Sequence, residues 1–141
     1  MIGFLLITHD ELGDALLSNA AHVLGSVPPH ARALKVRAGE VQAEVLEKAR
    51  GLLATLQHDD GLIVFVDMYG ATPSNVACKL LSEGTRAGQK VEAFAGVNLP
   101  MLVKAIAYRQ LPFEQVVAKA QLGGSAGVVK ISEDPCHAAN G

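Results

Sequence analysis

The sequence is poor in aromatic residues and in cysteine. Half of its 141 residues are hydrophobic, yet only 4% are aromatic and tryptophan is absent. A core of this composition is built from Leu, Val, Ile and Ala, as in helices that pack on a sheet. The two cysteines, Cys78 and Cys136, are far apart in the chain. Without a pairing pattern or an export signal, we expect both to be reduced and the protein to be cytoplasmic.

Basic clusters and long apolar runs are missing as well. The net charge is −2 and no basic cluster is present, which argues against nucleic acid as a partner. No segment approaches the roughly 20 apolar residues of a membrane span. The opening MIGFLLI lacks a basic region before its apolar run, so it predicts a first strand rather than a signal peptide. The length suits one domain whose core needs no disulfide or structural metal.

Hydrophobic periodicity predicts alternating strands and helices. We predict strands over 2–8, 32–36, 62–66, 90–97 and 127–131, and helices over 12–24, 41–56, 72–84, 100–108 and 112–122. This order predicts an α/β fold, a single three-layer α/β/α domain with a mostly parallel sheet. The domain is predicted to span 1–131, with a polar tail over 132–141.

Two polar residues stand where predicted strands end. His9 follows the first strand, and Asp67 ends the LIVFV strand. In open parallel sheets, ligands bind beyond the carboxyl ends of the strands, where the strand order reverses. If these two strands are neighbours with their helices on opposite faces, His9 and Asp67 share that crevice.

The two residues together predict phosphoryl transfer. A neutral histidine nitrogen is a good nucleophile near pH 7, and a carboxylate on the other ring nitrogen fixes the tautomer. Gly70 would let the backbone approach a phosphate, and the hydroxyls of Thr72 and Ser74 would bind its oxygens. Thr8, directly before His9, is also counted in the predicted phosphate pocket. No metal and no cofactor are predicted.

Plainer interpretations of the same residues stay open. His9 could be an ordinary loop residue, Asp67 could cap a turn, and Thr72 with Pro73 could simply be the N-cap and first residue of a helix. His-Asp pairs at 9–10 and 58–59 also suggest a metal-dependent phosphohydrolase. We rank that interpretation lower, because the two pairs are predicted at opposite ends of the sheet. Cys78 is interpreted as a core residue of its helix.

Three segments resemble the signatures of a known family. THDELGDALL (8–17), VDMYGATPSNVA (66–77) and AGVNLPMLVKAI (95–106) are similar, in order and spacing, to those of the mannose-family enzyme IIA component of the phosphoenolpyruvate:sugar phosphotransferase system. The resemblance covers essentially residues 1–131. It implies a sheet of order 2-1-3-4 with a C-terminal antiparallel edge strand, GVVKI, that is exchanged in a homodimer.

The resemblance also implies a function and partners. His9 would be phosphorylated by the phosphocarrier protein HPr and would pass the group to a IIB partner, in indirect association with membrane IIC and IID components. Asp67 matches the family aspartate that pairs with the active histidine. Tyr69, Gly70, Thr72 and Ser74 fall on the loop that shapes the phosphate pocket. A regulatory phosphoprotein without a transport role, or a IIA-like subunit of a dihydroxyacetone kinase system, is the alternative.

The chain departs from the family pattern beside the active histidine. Many members have glycine at the position of Asp10. Asp10, Glu11 and Asp14 would disfavour phosphohistidine if they face it. If they face solvent, they form an acidic rim that attracts a basic carrier, which is the interpretation we prefer.

Overall fold

The fold is seen in a computed structural model, which describes residues 1–132. Its strands and helices alternate along the chain up to the last two helices. The strands are β1 Ile2–His9, β2 Ala31–Val36, β3 Gly61–Val66 and β4 Val91–Ala95. The helices are α1 Leu12–Leu24, α2 Gln42–Ala54, α3 Thr72–Arg86, α4 Leu99–Ala107 and α5 Phe113–Ala126.

The four strands form one parallel sheet in the order β2-β1-β3-β4. The predicted order 2-1-3-4 is therefore confirmed. Both central strands are apolar along nearly their whole length and are buried. Such continuous runs are what a parallel strand needs when helices cover both of its faces.

The helices cover the two faces of the sheet unequally. One face packs against α1, α4 and α5 around Phe4, Leu6 and Phe65. The other face packs against α2 and α3 around Leu5 and Val64. The predicted α/β/α layering is thus confirmed. Because α1 follows β1 on one face and α3 follows β3 on the other, the gap between β1 and β3 is the topological switch point.

Phe65 lies at the centre of a row of three rings that crosses the sheet. Its ring centroid lies 6.3 Å from that of Phe4 and 6.2 Å from that of Phe94, and its side chain is fully buried. We expect Phe65→Ala to lower the free energy of unfolding by about 3–5 kcal/mol, because the cavity cannot close fully. Urea unfolding followed by circular dichroism measures this. Phe65→Leu, the control, keeps most of the volume; a loss below about 1.5 kcal/mol in Phe65→Ala would contradict the packing argument.

The C-terminal part of the domain differs from the prediction. The last helix runs on to Ala126, because Gly123 and Gly124 let it pack closely on α4. A Cβ at Gly123 would lie 2.6 Å from Lys104 Cγ, and one at Gly124 would lie 2.5 Å from Met101 Cε. Glycine therefore serves close packing here rather than ending the helix.

The predicted strand over 127–131 is wrong for the single chain. This segment forms no strand in the described part of the chain, and Val128, Val129 and Ile131 are exposed. An apolar segment forms a strand only when it pairs with the edge of a sheet, and the described residues show no such pairing here. The predicted polar tail over 132–141 lies outside the described residues except for its first residue, and Cys136 lies outside them too.

Two local predictions on α3 are wrong. Thr72 is the first residue of α3 and Ala71 takes the N-cap position, so the predicted Thr72 cap is wrong. Cys78 is exposed rather than buried, because the buried stripe of α3 runs through its neighbours. Asn98 caps α4, since its side chain accepts the Met101 N–H at 2.9 Å. Within residues 1–132, no helix is long and apolar enough to cross a membrane.

Candidate functional site

The imidazole of His9 and the carboxylate of Asp67 are in direct contact. His9 Nδ1 lies 2.8 Å from Asp67 Oδ2. The backbone N–H of His9 donates to the same oxygen at 3.0 Å. The other carboxylate oxygen accepts the Met68 N–H at 3.0 Å. The carboxylate is thus held by two backbone groups while it holds the ring.

The sheet register explains why these two residues meet. Ile7 is the partner of Val66 across the β1–β3 pair. His9 and Asp67 therefore leave adjacent strands at the same edge of the sheet, in the crevice between α1 and α3. The prediction that they share this crevice is met by the geometry, since both its conditions, neighbouring strands and opposite helices, hold.

The side chains of Asp67 and His9 differ in solvent exposure. The Asp67 side chain is 11% exposed, whereas the His9 ring is 49% exposed. Burial raises the pKa of the Asp67 carboxyl, but the hydrogen bonds from the His9 backbone and ring outweigh it and hold that pKa below its usual range. Asp67 is therefore ionised at neutral pH and can accept a hydrogen bond from a protonated Nδ1. With the proton on Nδ1, Nε2 carries the ring's lone pair, which is the chemistry a nucleophile needs.

The lowered pKa of Asp67 predicts a pH dependence of stability. A carboxyl whose folded-state pKa is depressed stabilises the fold above its ordinary pKa, and that contribution is lost as the pH falls through the lower folded-state value. We expect the difference in melting temperature between wild type and Asp67→Asn to shrink as the pH falls below about 4. Thermal scans over this range measure it. A difference that stays the same below about pH 4 would contradict a lowered pKa of Asp67.

Thr8 is buried beneath the site. Its Oγ1 accepts the N–H of Gly13 at 2.7 Å, and the side chain is fully buried. A Cβ at Gly13 would lie 3.0 Å from that oxygen, so glycine keeps the contact open. The hydroxyl thereby ties the first turn of α1 to the strand that carries His9. Its predicted place in a phosphate pocket stays a prediction, and the contact seen is with the backbone.

We expect Thr8→Val to lower the free energy of unfolding by about 1–3 kcal/mol, because the buried Gly13 N–H loses its acceptor while the side-chain volume hardly changes. Chemical denaturation measures this loss. Thr8→Ser, which keeps the oxygen, is the matched control. If Thr8→Val unfolded at the same denaturant concentration as wild type, this buried hydrogen bond would not be holding α1 in place.

The remaining predicted pocket residues lie on the loop and the first turn after Asp67. Tyr69 is 82% exposed, and Gly70 adopts a φ of +88°, which favours glycine. Thr72 is half-buried at the start of α3, and Ser74 is buried in its first turn. Within residues 1–132, no side chain caps this helix end, so its backbone N–H groups are free to bind an anion. Binding of phosphate by these residues stays a prediction.

Asp10 adopts a left-handed backbone conformation next to His9. Its φ is +47°, and its N–H donates to the Val36 carbonyl at 3.0 Å. Aspartate tolerates this conformation better than most residues, and glycine tolerates it best. The geometry therefore explains why a glycine would also fit this position.

The three carboxylates near His9 face solvent but do not form a purely acidic rim. Arg37 Nη2 donates to Glu11 Oε1 at 3.0 Å, and Arg37 Nη1 lies 3.5 Å from Asp10 Oδ1. Lys35 Nζ lies 3.4 Å from Asp14 Oδ2. Two cations thus offset most of the negative charge. Sequence analysis missed Lys35 and Arg37, since only the β1–β2 register brings the end of β2 beside the start of α1.

Comparison with known proteins decides the family. The family model described as PTS system fructose IIA component matches residues 3–121. The chain belongs to this family. The PTS IIA signature thus spans β1 to α5 and includes both His9 and Asp67. Members of the family are components of a phosphotransferase system. The family that the three sequence segments predict is therefore confirmed.

Curated relatives of this IIA chain include larger proteins. It is 29% identical over 140 residues to the PTS system mannose-specific EIIAB component of Escherichia coli, covering 98% of the chain and 42% of that protein. The chain thus spans less than half the length of this relative. It is 26% identical over 110 residues to the PTS system fructose-specific EIIA component of Bacillus subtilis, covering 78% of the chain and 72% of that protein.

Solved structures share the fold of this IIA chain. The phosphotransferase system component EIIA from Streptococcus agalactiae superposes with a TM-score of 0.81 at 24% identity, over 92% of this chain and 97% of that one. The mannose/sorbose-specific IIA subunit from Enterococcus faecalis superposes with a TM-score of 0.80 at 18% identity, over 94% of this chain and 96% of that one. These likenesses support the architecture described above. Within the described range 1–132, no three His, Cys, Asp or Glu side chains are grouped closely enough to hold a metal ion.

Proposed function

We propose that His9 accepts a phosphoryl group on Nε2 from the carrier protein HPr and passes it to a IIB partner. The observation that carries this proposal is the 2.8 Å contact between His9 Nδ1 and Asp67 Oδ2. It leaves Nε2 unprotonated on a half-exposed ring, at the edge of the sheet where a second protein has access. Family membership supports the same reaction.

The transfer needs no general base. The lone pair of Nε2 attacks phosphorus, and the bond from phosphorus to the donor breaks as the new P–N bond forms. The Nδ1 proton stays in place, so the ring becomes cationic while phosphorylated. Ionised Asp67 stabilises that cation and holds the ring in its attacking orientation. The reverse steps return the neutral ring when the acceptor takes the group.

The loop after Asp67 would hold the phosphoryl oxygens. The uncapped start of α3 offers backbone N–H groups, and the hydroxyls of Thr72 and Ser74 lie in its first turn. Gly70 gives the loop room for close approach. Exposed Tyr69 would shape the outer side of the pocket. Anionic oxygens at a helix N-terminus are favoured by the helix dipole as well.

The proposed setting is cytoplasmic sugar uptake or its regulation. The partners would be HPr and a IIB component, in indirect association with membrane IIC and IID components, and no nucleic acid. Relatives named as mannose-specific and fructose-specific PTS components support this setting. No cofactor and no metal take part in the proposed reaction.

We also propose that the chain forms a homodimer. The segment 127–131 leaves α5 with Val128, Val129 and Ile131 exposed, and β4 is an edge strand of the sheet. In a dimer, the exposed apolar segment of each copy would pair as an antiparallel strand with the exposed sheet edge of the other copy. Light scattering after size-exclusion chromatography measures the mass, and a monomer at micromolar concentration would contradict the proposal.

The proposed reaction is tested by phosphorylation of the wild-type chain. The protein is mixed with phosphoenolpyruvate, enzyme I and HPr, and the label is followed by phosphate-affinity electrophoresis. We expect one phosphate per chain, stable in base and labile in acid, on the peptide that contains His9. Labelling should be absent when HPr is left out. A chain that takes no label in the complete mixture, or a label stable in acid, would refute the proposal.

A further inference from the structure

Arg37 contacts both of the acidic residues that follow His9, and Lys35 Nζ lies 4.0 Å from Glu11 Oε1. Arg37 Nη2 donates to Glu11 Oε1 at 3.0 Å, and its Nη1 lies 3.5 Å from Asp10 Oδ1. These two residues directly follow the active histidine in the chain. The guanidinium therefore bridges the two carboxylates nearest in sequence to the site.

The position of Arg37 is fixed by the sheet and by a tight turn. Its neighbour Val36 is the register partner of His9, so the arginine stands one residue beyond the active histidine on the adjacent strand. Its N–H donates to Glu40 Oε1 at 2.8 Å, and the Glu40 N–H donates back to the Arg37 carbonyl at 3.2 Å. Gly39 closes this turn with a φ of +85°. These two hydrogen bonds fix the backbone of Arg37 in this turn.

We propose that Arg37 is a positioning residue that tunes the phosphoryl-transfer potential of this site, by offsetting part of the negative charge of Asp10 and Glu11 beside phosphorylated His9. This inference rests on the proposed function. The phosphoryl group would bring about two negative charges to a ring that is followed immediately by two carboxylates. With Arg37 in place, the pair of carboxylates and the guanidinium carry a net charge of −1.

Loss of Arg37 would make the phosphorylated form less stable. Without the guanidinium, both carboxylates would repel the phosphoryl group through solvent, and phosphohistidine would become a stronger donor. The effect is modest because all three side chains are more than half exposed, and exposed ion pairs are weak. It is also screened by salt. Because it acts on the stability of the product, it appears in an equilibrium and does not depend on how fast the carrier docks.

The test is therefore an equilibrium measurement. Phosphorylated HPr, freed of enzyme I, is mixed with an equal amount of the chain, and the final distribution of phosphate is read by phosphate-affinity electrophoresis. We expect Arg37→Gln to lower the equilibrium constant about threefold at low salt. The difference should largely disappear in 0.5 M salt, at which the Debye length is roughly 4 Å. Arg37→Lys, which keeps the charge, should retain most of the wild-type value.

Two further variants distinguish an electrostatic effect of Arg37 from a structural one. Lys90→Gln removes one positive charge and one exposed ion pair, to Glu114 at 3.0 Å, at the opposite end of the sheet. It should leave the equilibrium unchanged. The triple variant Asp10→Asn, Glu11→Gln, Arg37→Gln should return to the wild-type value or above it, because the repelling charges are gone.

The possible outcomes distinguish failure of the Arg37 inference from failure of the proposed function. If wild type is phosphorylated and Arg37→Gln has the wild-type equilibrium at low salt, the role of Arg37 is refuted while the proposed function stands. The same holds if its defect persists in the triple variant or in high salt. If Arg37→Gln does not fold, the double variant Asp10→Asn, Glu11→Gln must raise the constant above wild type, and failure to do so refutes the inference. If wild type takes no phosphate at all, the proposed function itself has failed.

Discussion

His9→Ala is expected to take no phosphate from phosphorylated HPr under conditions that label wild type completely. The substitution removes Nε2, the atom whose lone pair would form the new P–N bond. The half-exposed ring packs little against the core, so the fold should persist. Phosphate-affinity electrophoresis with radioactive phosphoenolpyruvate measures the label, and circular dichroism measures the fold.

His22→Ala is the matched control for this variant. His22 is exposed on α1, away from the sheet edge that carries the site. It should be labelled at the wild-type rate. Persistent label in His9→Ala would move the phosphorylation site elsewhere and would remove the basis of the proposed mechanism.

Asp67→Asn is expected to slow phosphoryl transfer by about 100-fold. The amide is close in size to the carboxylate and can still accept the His9 N–H that now donates to Oδ2 at 3.0 Å. It cannot supply the negative charge that stabilises the cationic phosphorylated ring, and it no longer selects the tautomer with a free Nε2. The rate constant is measured by rapid mixing with phosphorylated HPr.

The expected loss lies in the rate at saturating carrier rather than in carrier binding. Asp67 is 11% exposed, so a docking protein has little access to it. Asp14→Asn is the control: its carboxylate is exposed on the first turn of α1 and pairs with Lys35. Its rate should stay within severalfold of wild type. An Asp67→Asn rate within about threefold of wild type would exclude the carboxylate from the mechanism.

The central strands and the site were predictable because their signals are local. Continuous apolar runs over β1 and β3 predict strands that are covered on both faces. A polar residue at the end of each run then falls at the carboxyl edge of a parallel sheet. For His9 and Asp67, chain position and strand direction were enough to predict a shared crevice.

The last helix and the segment after it were not predictable in the same way. Paired glycines, Gly123 and Gly124, are a local signal for the end of a helix, yet they lie inside α5. Because these glycines lack Cβ atoms, Lys104 and Met101 of the neighbouring helix can pack against them. This contact depends on the tertiary structure, so a local sequence pattern does not reveal it. Similarly, the apolar residues of GVVKI predict a strand, but a strand forms only where a partner edge is present.

What the sequence alone determined is the alternation of elements, the parallel sheet and the pair His9 and Asp67, because periodicity and strand ends are properties of short segments. The tertiary structure decided which groups surround that pair. It buried Thr8 under α1, exposed Cys78, and brought Arg37 to Asp10 and Glu11. These contacts depend on the register between strands and the packing of helices, which join residues that are distant in the chain.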